Sequence, residues 1–483
     1  MPRSGSRAEV LDSTARFPPK ALLLLLLITL AAKLVLAWRF DGYGTGDDLE
    51  IVETAAKYAA GLDYQPWSLR CLFHPLVLTW PVLRLGVLAG VTDPSVLSWL
   101  GVIPTALFST LAIFLVYRLA LAWRWPSETA LAAAFLYAVH WLPFGYGATL
   151  FPRPISTASL LGAFLLSSRV PLSAARAAAA GVLVAAAFAV RWSEGAALVP
   201  LAAWIWWRDR DARTTAAVVA GFALGAIVFV GLTDTLTWGT PFSSLKAYAD
   251  EMRTVPPDPR TDGAWYEYAK DILRWAGPVS LLLLWPARRD RRIRLPLLFL
   301  VAIVAALSCV RFKQTRYMQA AIPFLALAAA VGWERLRESG TVARRIAAAA
   351  LLLAAALGLE RALALLSDKS QSATAAARAI ARLSPAPRAV ALEQAWAYGD
   401  RLLIGNGPEI RDFPPSRPLA PAGVEKAAGP ADVLGLYTLD TSPALLDTIA
   451  RMGFRESARF HRDSSKEVIL YLRDHTPRAS AGQ

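Results

Sequence analysis

Residues 21–38 read ALLLLLLITLAAKLVLAW, with one lysine as the only charge. The runs 97–116, 221–233 and 346–359 are likewise apolar or small almost throughout. A hydrocarbon core about 30 Å thick is crossed by about 20 such residues as a helix. Inside lipid the backbone must satisfy its own hydrogen bonds, so runs of this kind fold as helices rather than open strands. Only 18% of the residues are charged, against roughly 25% in ordinary soluble domains. The sequence therefore predicts an all-α polytopic membrane protein.

The formal net charge of +14 does not point to nucleic acid. The arginines sit in short clusters between apolar runs, where orientation signals belong, and not along one exposed face. Arg3, Arg7, Arg16 and Lys20 precede the first run, which reads as a signal anchor with a cytoplasmic N-terminus (1–20). Further basic clusters lie at 118–124, 169–176, 208–213, 288–294 and 335–345. Placing them all on the cytoplasmic side gives about eleven spans. These lie near 21–38, 97–122, 128–146, 154–169, 173–190, 194–207, 214–233, 271–287, 294–309, 317–333 and 344–366. The run 74–90 contains Pro75, Pro81 and Arg84 and is expected to re-enter or lie at the interface without crossing.

With that alternation the spans form a body over 21–368. Two long outer loops, 39–73 and 234–270, and the tail 369–483 share the outer side. The tail alternates strand-like runs at 389–392, 433–437 and 468–472 with a helical one at 443–452. This pattern predicts a small soluble α/β domain. Two cysteines, Cys71 and Cys309, exclude a disulfide framework, and no bridge between them is expected. The four histidines, His74, His140, His461 and His475, form no metal-ligand pair, and no phosphate-binding loop or dinucleotide fingerprint is present. Chemistry is left to carboxylates and cations.

Three outer segments could carry it. In the first loop Gly44, Gly46, Asp47, Asp48 and Glu50 precede a helical pattern with Leu49, Val52, Ala56 and Ala59 on one face. Asp47 and Glu50 have the spacing of a helix capping box; a carboxylate so placed can still accept a proton. In the second loop Asp234 is followed by Trp238, Trp265, Tyr266 and Tyr268, a composition shared by interfacial belts and carbohydrate sites. The third is Arg311-Phe-Lys313-Gln-Thr-Arg316, which the alternation puts outside, against the positive-inside trend. Cations so placed suit a phosphate at the membrane surface. Arg191 and Glu194 interrupt two apolar runs, as a turn with a local ion pair or as an inward-facing functional pair.

Together these segments resemble the polyprenyl-phosphate-mannose-dependent mannosyltransferases of the GPI-anchor and N-glycan pathways, in the GT-C superfamily. The matching pieces run in order through residues 20–335. They are residues 46–53 with Pro66, Trp67, Arg70 and Pro75; residues 150–159 around Arg153; Asp234 with Trp265 to Tyr268; and Phe312 to Tyr317 with Pro323. Asp48, Phe312 and Gln314 depart from the family pattern of Glu, His and Glu. The resemblance implies a GT-C-like fold and an inverting transfer of a sugar, mannose by this match, from a polyprenyl-phosphate donor to a glycan or glycolipid hydroxyl.

It further implies Asp47 and Asp48 as catalytic carboxylates and Arg311, Lys313 and Arg316 as donor-phosphate ligands. Glu53, Trp67, Arg153, Asp234, Trp265 and Tyr266 would then contact substrate. No cofactor is expected, a divalent metal requirement stays open, and the partners are the lipid donor, the acceptor and membrane lipids. The expected location is a cell inner membrane in a bacterium or the endoplasmic reticulum membrane in a eukaryote. A GT-C transferase of another sugar or with a protein acceptor is the near alternative. A lipid or glycan transporter is the alternative from another class.

Overall fold

A computed structural model describes residues 19–40, 46–61, 70–254, 263–369, 372–393, 395, 403–405, 407–413, 419–437, 442–460 and 467–474. Each expected span coincides with a helix or with two consecutive ones. Four helices, Lys20–Arg39, Pro94–Ala122, Ala212–Trp238 and Thr341–Ser367, are long and apolar enough to cross a membrane. Shorter helices include Ser127–Ala138, Arg153–Ser167, Ala174–Val190, Leu198–Asp209, Pro278–Ala287, Arg294–Ser308 and Ile322–Glu338.

Two features pack the bundle. An aromatic knot of Phe164, Phe299 and Phe324, with ring centroids 4.5–5.3 Å apart, joins three helices at the centre. Helices Ala174–Val190 and Ala212–Ala226 approach through small residues. A Cβ added at Gly181 would lie 2.0 Å from the Val218 carbonyl oxygen, and one at Gly221 would lie 2.1 Å from that of Ala178. Glycine is the side chain that lets these two backbones meet.

The helix ends sort by charge. Helix Arg153–Ser167 begins beside Tyr317, where Arg153 donates to the Tyr317 carbonyl, and ends where Arg208 caps the Ser167 carbonyl. At that second end Asp290 takes both Arg292 and Arg335 at 2.8 Å, Glu334 takes Arg292 at 2.7 Å, and Arg337 pairs with Glu128. Arg292 above all, then Arg335, holds the Asp290 carboxyl well below the usual carboxylate range. The basic clusters at 288–294 and 335–337 thus meet at one end, as the charge alternation requires.

The apolar run at 74–90 forms the helical stretch His74–Leu88. It packs with helix Gly46–Ala60 against the first turns of Pro94–Ala122: Ala55, Ala59, Leu83 and Leu97 share one apolar cluster. Arg84 donates to the Ala59 carbonyl, at the C-terminal end of the neighbouring helix. An arginine inside an apolar run is explained by that cap.

The tail forms a five-stranded sheet. Its strands are β1 (Ala389–Glu393), β2 (Glu409–Phe413), β3 (Val433–Tyr437), β4 (Phe454–Phe460) and β5 (Val468–Arg473), in the order β2-β1-β3-β5-β4. The first three strands in that order are parallel and the remaining pairs antiparallel. Strands β2 and β4 escape the sequence reading because they are edges with mostly exposed, charged residues. Residues Ala373, Ile380, Val390 and Leu392 join Ala37, Val52 and Val102 in one apolar cluster. The tail therefore sits on the end of the body that carries helix Gly46–Ala60. The two cysteines are free: Cys71 is buried and Cys309 exposed.

This arrangement predicts that cysteines placed at Thr240 and Ser339, in a Cys309→Ser background, label from opposite sides of the membrane. Labelling of sealed vesicles with an impermeant thiol reagent checks this, and labelling of both from one side contradicts it.

Candidate active site

The site grows from the segment that precedes helix Arg153–Ser167. Arg153 opens that helix and is 2% exposed. Its guanidinium lies 2.6 Å from Glu194, and it also reaches Ser193 Oγ and the Tyr317 carbonyl, both at 3.4 Å. The same group stacks 4.2 Å over the Tyr317 ring. Glu194 lies in the short turn Trp192–Ala197, so its ion-pair partner is 41 residues away in sequence and not a neighbour in its own turn. A carboxylate and a guanidinium buried together are tolerable because each supplies the other's charge and hydrogen bonds.

Arg191 and Arg316 each lie 5.0 Å from the Phe151 ring centroid, from different elements of the chain. One aromatic ring thus gathers two arginines beside the Arg153–Glu194 pair. Arg191 also lines a small cleft, together with Ile51, Thr54, Arg70, Cys71 and His74. Ile51 and Thr54 belong to helix Gly46–Ala60, and positions 47, 51 and 54 fall on one face of that helix at i, i+4, i+7 spacing. Asp47 and Asp48 occupy its first turn, where the helix dipole favours acids; their side chains lie outside the described part of the structure.

Helix Ser243–Thr254 brings Tyr248 within electrostatic reach of Tyr317, Arg191, Arg153 and Arg70. Burial, and then Tyr317, raises the Tyr248 phenol above its ordinary range while the arginines oppose the shift. Asp234, wholly buried, anchors this helix: its Oδ2 accepts from the Ser244 backbone N–H at 2.9 Å and hydroxyl at 2.6 Å. A carboxylate at the start of a helix satisfies a donor left over by the helical pattern.

The other expected site residues are spread more widely. Glu53 is buried and paired with Lys57 at 3.0 Å. Lys313 donates to the carbonyls of Ser308 and Val310 and lies 5.9 Å from the Tyr268 ring centroid. Arg311 lies over the Phe312 ring, and none of Arg311, Lys313 and Arg316 is among the residues that line the cleft. Burial pushes the Tyr268 phenol up to about 12, and its hydroxyl donates to the Gln314 carbonyl. Trp265 and Tyr266 stand on the surface, 76% and 50% exposed. Trp67 lies outside the described residues.

His74 and Tyr248 enter the site without having been singled out from sequence, and Arg191 was read there only as one half of a local or inward-facing pair with Glu194. For Arg191 a signal existed: like Arg316, it sits at a span end on the side where the charge alternation puts few cations. Tyr248 carries no such signal, because its place depends on the Asp234–Ser244 contact.

Removing one partner of the buried pair leaves the other charge uncompensated, which typically costs about 3–5 kcal/mol. Glu194→Ala should therefore lower the unfolding midpoint in detergent sharply, and Arg153→Met combined with Glu194→Leu should recover most of the loss. Thermal unfolding of both variants checks this, and a Glu194→Ala midpoint equal to wild type contradicts it.

The sequence matches no protein-family model and no curated protein. Solved structures do resemble it. ArnT from Cupriavidus metallidurans in the apo state superposes with a TM-score of 0.61 at 14% identity, over 92% of this chain and 97% of that one. The same protein bound to undecaprenyl phosphate gives a TM-score of 0.61 at 14% identity, over 93% and 98%. The Archaeoglobus fulgidus oligosaccharyltransferase in complex with Zn and sulfate gives 0.52 at 12% identity, over 86% of this chain and 67% of that one. The arabinofuranosyltransferase AftD from Mycobacteria gives 0.50 at 16% identity, over 92% and 39%. These neighbours are glycosyltransferases of the GT-C fold, and this chain, a helical membrane body with a small C-terminal α/β domain, has that fold.

Proposed function

We propose that this chain is a membrane glycosyltransferase that takes a sugar from a polyprenyl-phosphate donor and attaches it to an acceptor hydroxyl at the outer membrane face. The observation that carries the reading is the cleft itself. Arg70 and Arg191 line it beside the face of helix Gly46–Ala60 whose first turn holds Asp47. A base and an anion site side by side are what such a transfer requires. An ArnT structure of the same fold holding undecaprenyl phosphate supports a lipid phosphate as the donor's leaving group.

In this reading the acceptor oxygen attacks the anomeric carbon from the side opposite the phosphate. The bond from that carbon to the phosphate oxygen breaks, its electron pair leaves with the lipid phosphate, and the sugar inverts. Asp47 takes the hydroxyl proton as general base, and Asp48 beside it orients the carboxylate or shares the proton. Charge grows on the departing phosphate, and Arg70, Arg191 and Arg316 stabilise it through planar, bidentate guanidinium groups. Lys313 and Arg311 serve the same end less directly, by holding the loop that delivers Arg316. Asp234 acts by seating helix Ser243–Thr254, and the exposed rings of Trp265 and Tyr266 offer stacking faces to a glycan acceptor.

Mannose is the sugar that the sequence resemblance favours. The second reading is a transferase of a different sugar, favoured by the likeness to the arabinofuranosyltransferase AftD. Incubating purified protein with a panel of polyprenyl-phosphate sugars and following lipid-phosphate release separates the two. In the same assay Asp47→Asn should lower turnover about a hundredfold to ten-thousandfold, the usual worth of a general base. Asparagine keeps the shape and much of the helix-start hydrogen bonding, so folding should be preserved. Turnover of Asp47→Asn at the wild-type rate would shift the role to Asp48.

A further inference from the structure

His74 is 3% exposed and lines the same cleft as Arg70 and Arg191. Its Nε2 is buried and has no hydrogen-bond partner among the described residues. That is an expensive arrangement. A buried imidazole nitrogen without a partner has lost its hydration with nothing in exchange, and such groups in folded proteins call for an explanation. The ring opens helix His74–Leu88, which Arg84 ties to the Ala59 carbonyl at its far end. Burial and the charge of Arg191 both oppose a proton on the ring, so it stands as a neutral imidazole with one N–H and one lone pair.

The polar neighbours indicate which way round that imidazole serves. Arg70 and Arg191 present only donors, the Cys71 thiol donates to the Phe229 carbonyl, and the Thr54 hydroxyl can donate or accept. A ligand seated among such groups is rich in acceptors, as a phosphoryl group is. We infer that His74 is a specificity-determining residue of the cleft, its Nε2–H donating a hydrogen bond to a phosphoryl oxygen held between Arg70 and Arg191. The inference deepens the proposed function and takes its ligand class, a phosphate monoester or diester, from it. A neutral donor between two cations adds direction without adding charge. It orients the phosphate while leaving the arginines to balance it.

The test uses full-length protein in detergent with farnesyl phosphate, inorganic phosphate and farnesol, and measures both binding and thermal unfolding. His74→Phe fills the ring's space with no donor; His74→Gln returns an amide donor near the position of Nε2. His74→Phe should unfold at the wild-type temperature or above, because it removes an unsatisfied buried group, yet bind farnesyl phosphate at least tenfold more weakly. His74→Gln should stay within about threefold of wild type, and farnesol should bind none of the three proteins measurably. If His74→Phe binds farnesyl phosphate as wild type does, or loses stability and binding together, the inference is overturned. If wild type ignores farnesyl phosphate but binds inorganic phosphate with the same Phe and Gln pattern, the lipid-donor reading fails and the role of His74 stands. If wild type binds neither phosphate, both fall.

Discussion

A carboxylate buried in a helical body needs a cation beside it, and the Arg153–Glu194 pair meets that condition at the end of the bundle that carries the cleft. Its members come from the start of one helix and from a short turn between two others. Through Tyr317 the same guanidinium reaches the segment that leads into helix Ile322–Glu338. Three parts of the chain are thus fixed to one another at a single point, and the aromatic knot of Phe164, Phe299 and Phe324 continues the contact toward the middle of the bundle. Phe151, two residues before Arg153, can then present its ring to Arg191 and Arg316. The cationic wall of the cleft follows from where the pair holds the backbone.

The two ends of the bundle use charge differently. At the end with Asp290 and Glu334, buried acids take up arginines from neighbouring loops, which locks those loops together. At the other end the arginines gather on aromatic rings and around a cleft. A guanidinium stacked over a ring directs its N–H groups outward in its own plane. The contrast between a charge network that closes a surface and one that lines an opening separates scaffold from site here.

Much of the architecture was legible in the sequence because the membrane imposes it. Apolar length and arginine placement locate the spans, and Pro75, Pro81 and Arg84 mark the stretch that lies beside the bundle end. In the tail, β1, β3 and β5 were readable because their residues are mainly buried and apolar, whereas β2 and β4 are edges whose charged residues resemble loop. The site was legible only in part. Asp47 and Asp48 stand in a recognisable local pattern at a helix start. The partner of Glu194 could not be read, since the local alternative, Arg191, lies three residues away and the actual one 41. His74 resembled any histidine beside an apolar run, and its interest lies in a buried Nε2 with no hydrogen-bond partner among the described residues.

The central claim is that the cleft beside helix Gly46–Ala60 receives the phosphate of a lipid-linked sugar. A crystal or cryo-electron microscopy structure of the protein with bound polyprenyl phosphate tests this most directly. Phosphate oxygens are expected within about 3 Å of guanidinium nitrogens of Arg70 and Arg191, with the prenyl chain leaving toward the lipid. A phosphate bound only at Lys313, or at the end of the bundle that carries Asp290 and Arg335, would contradict it.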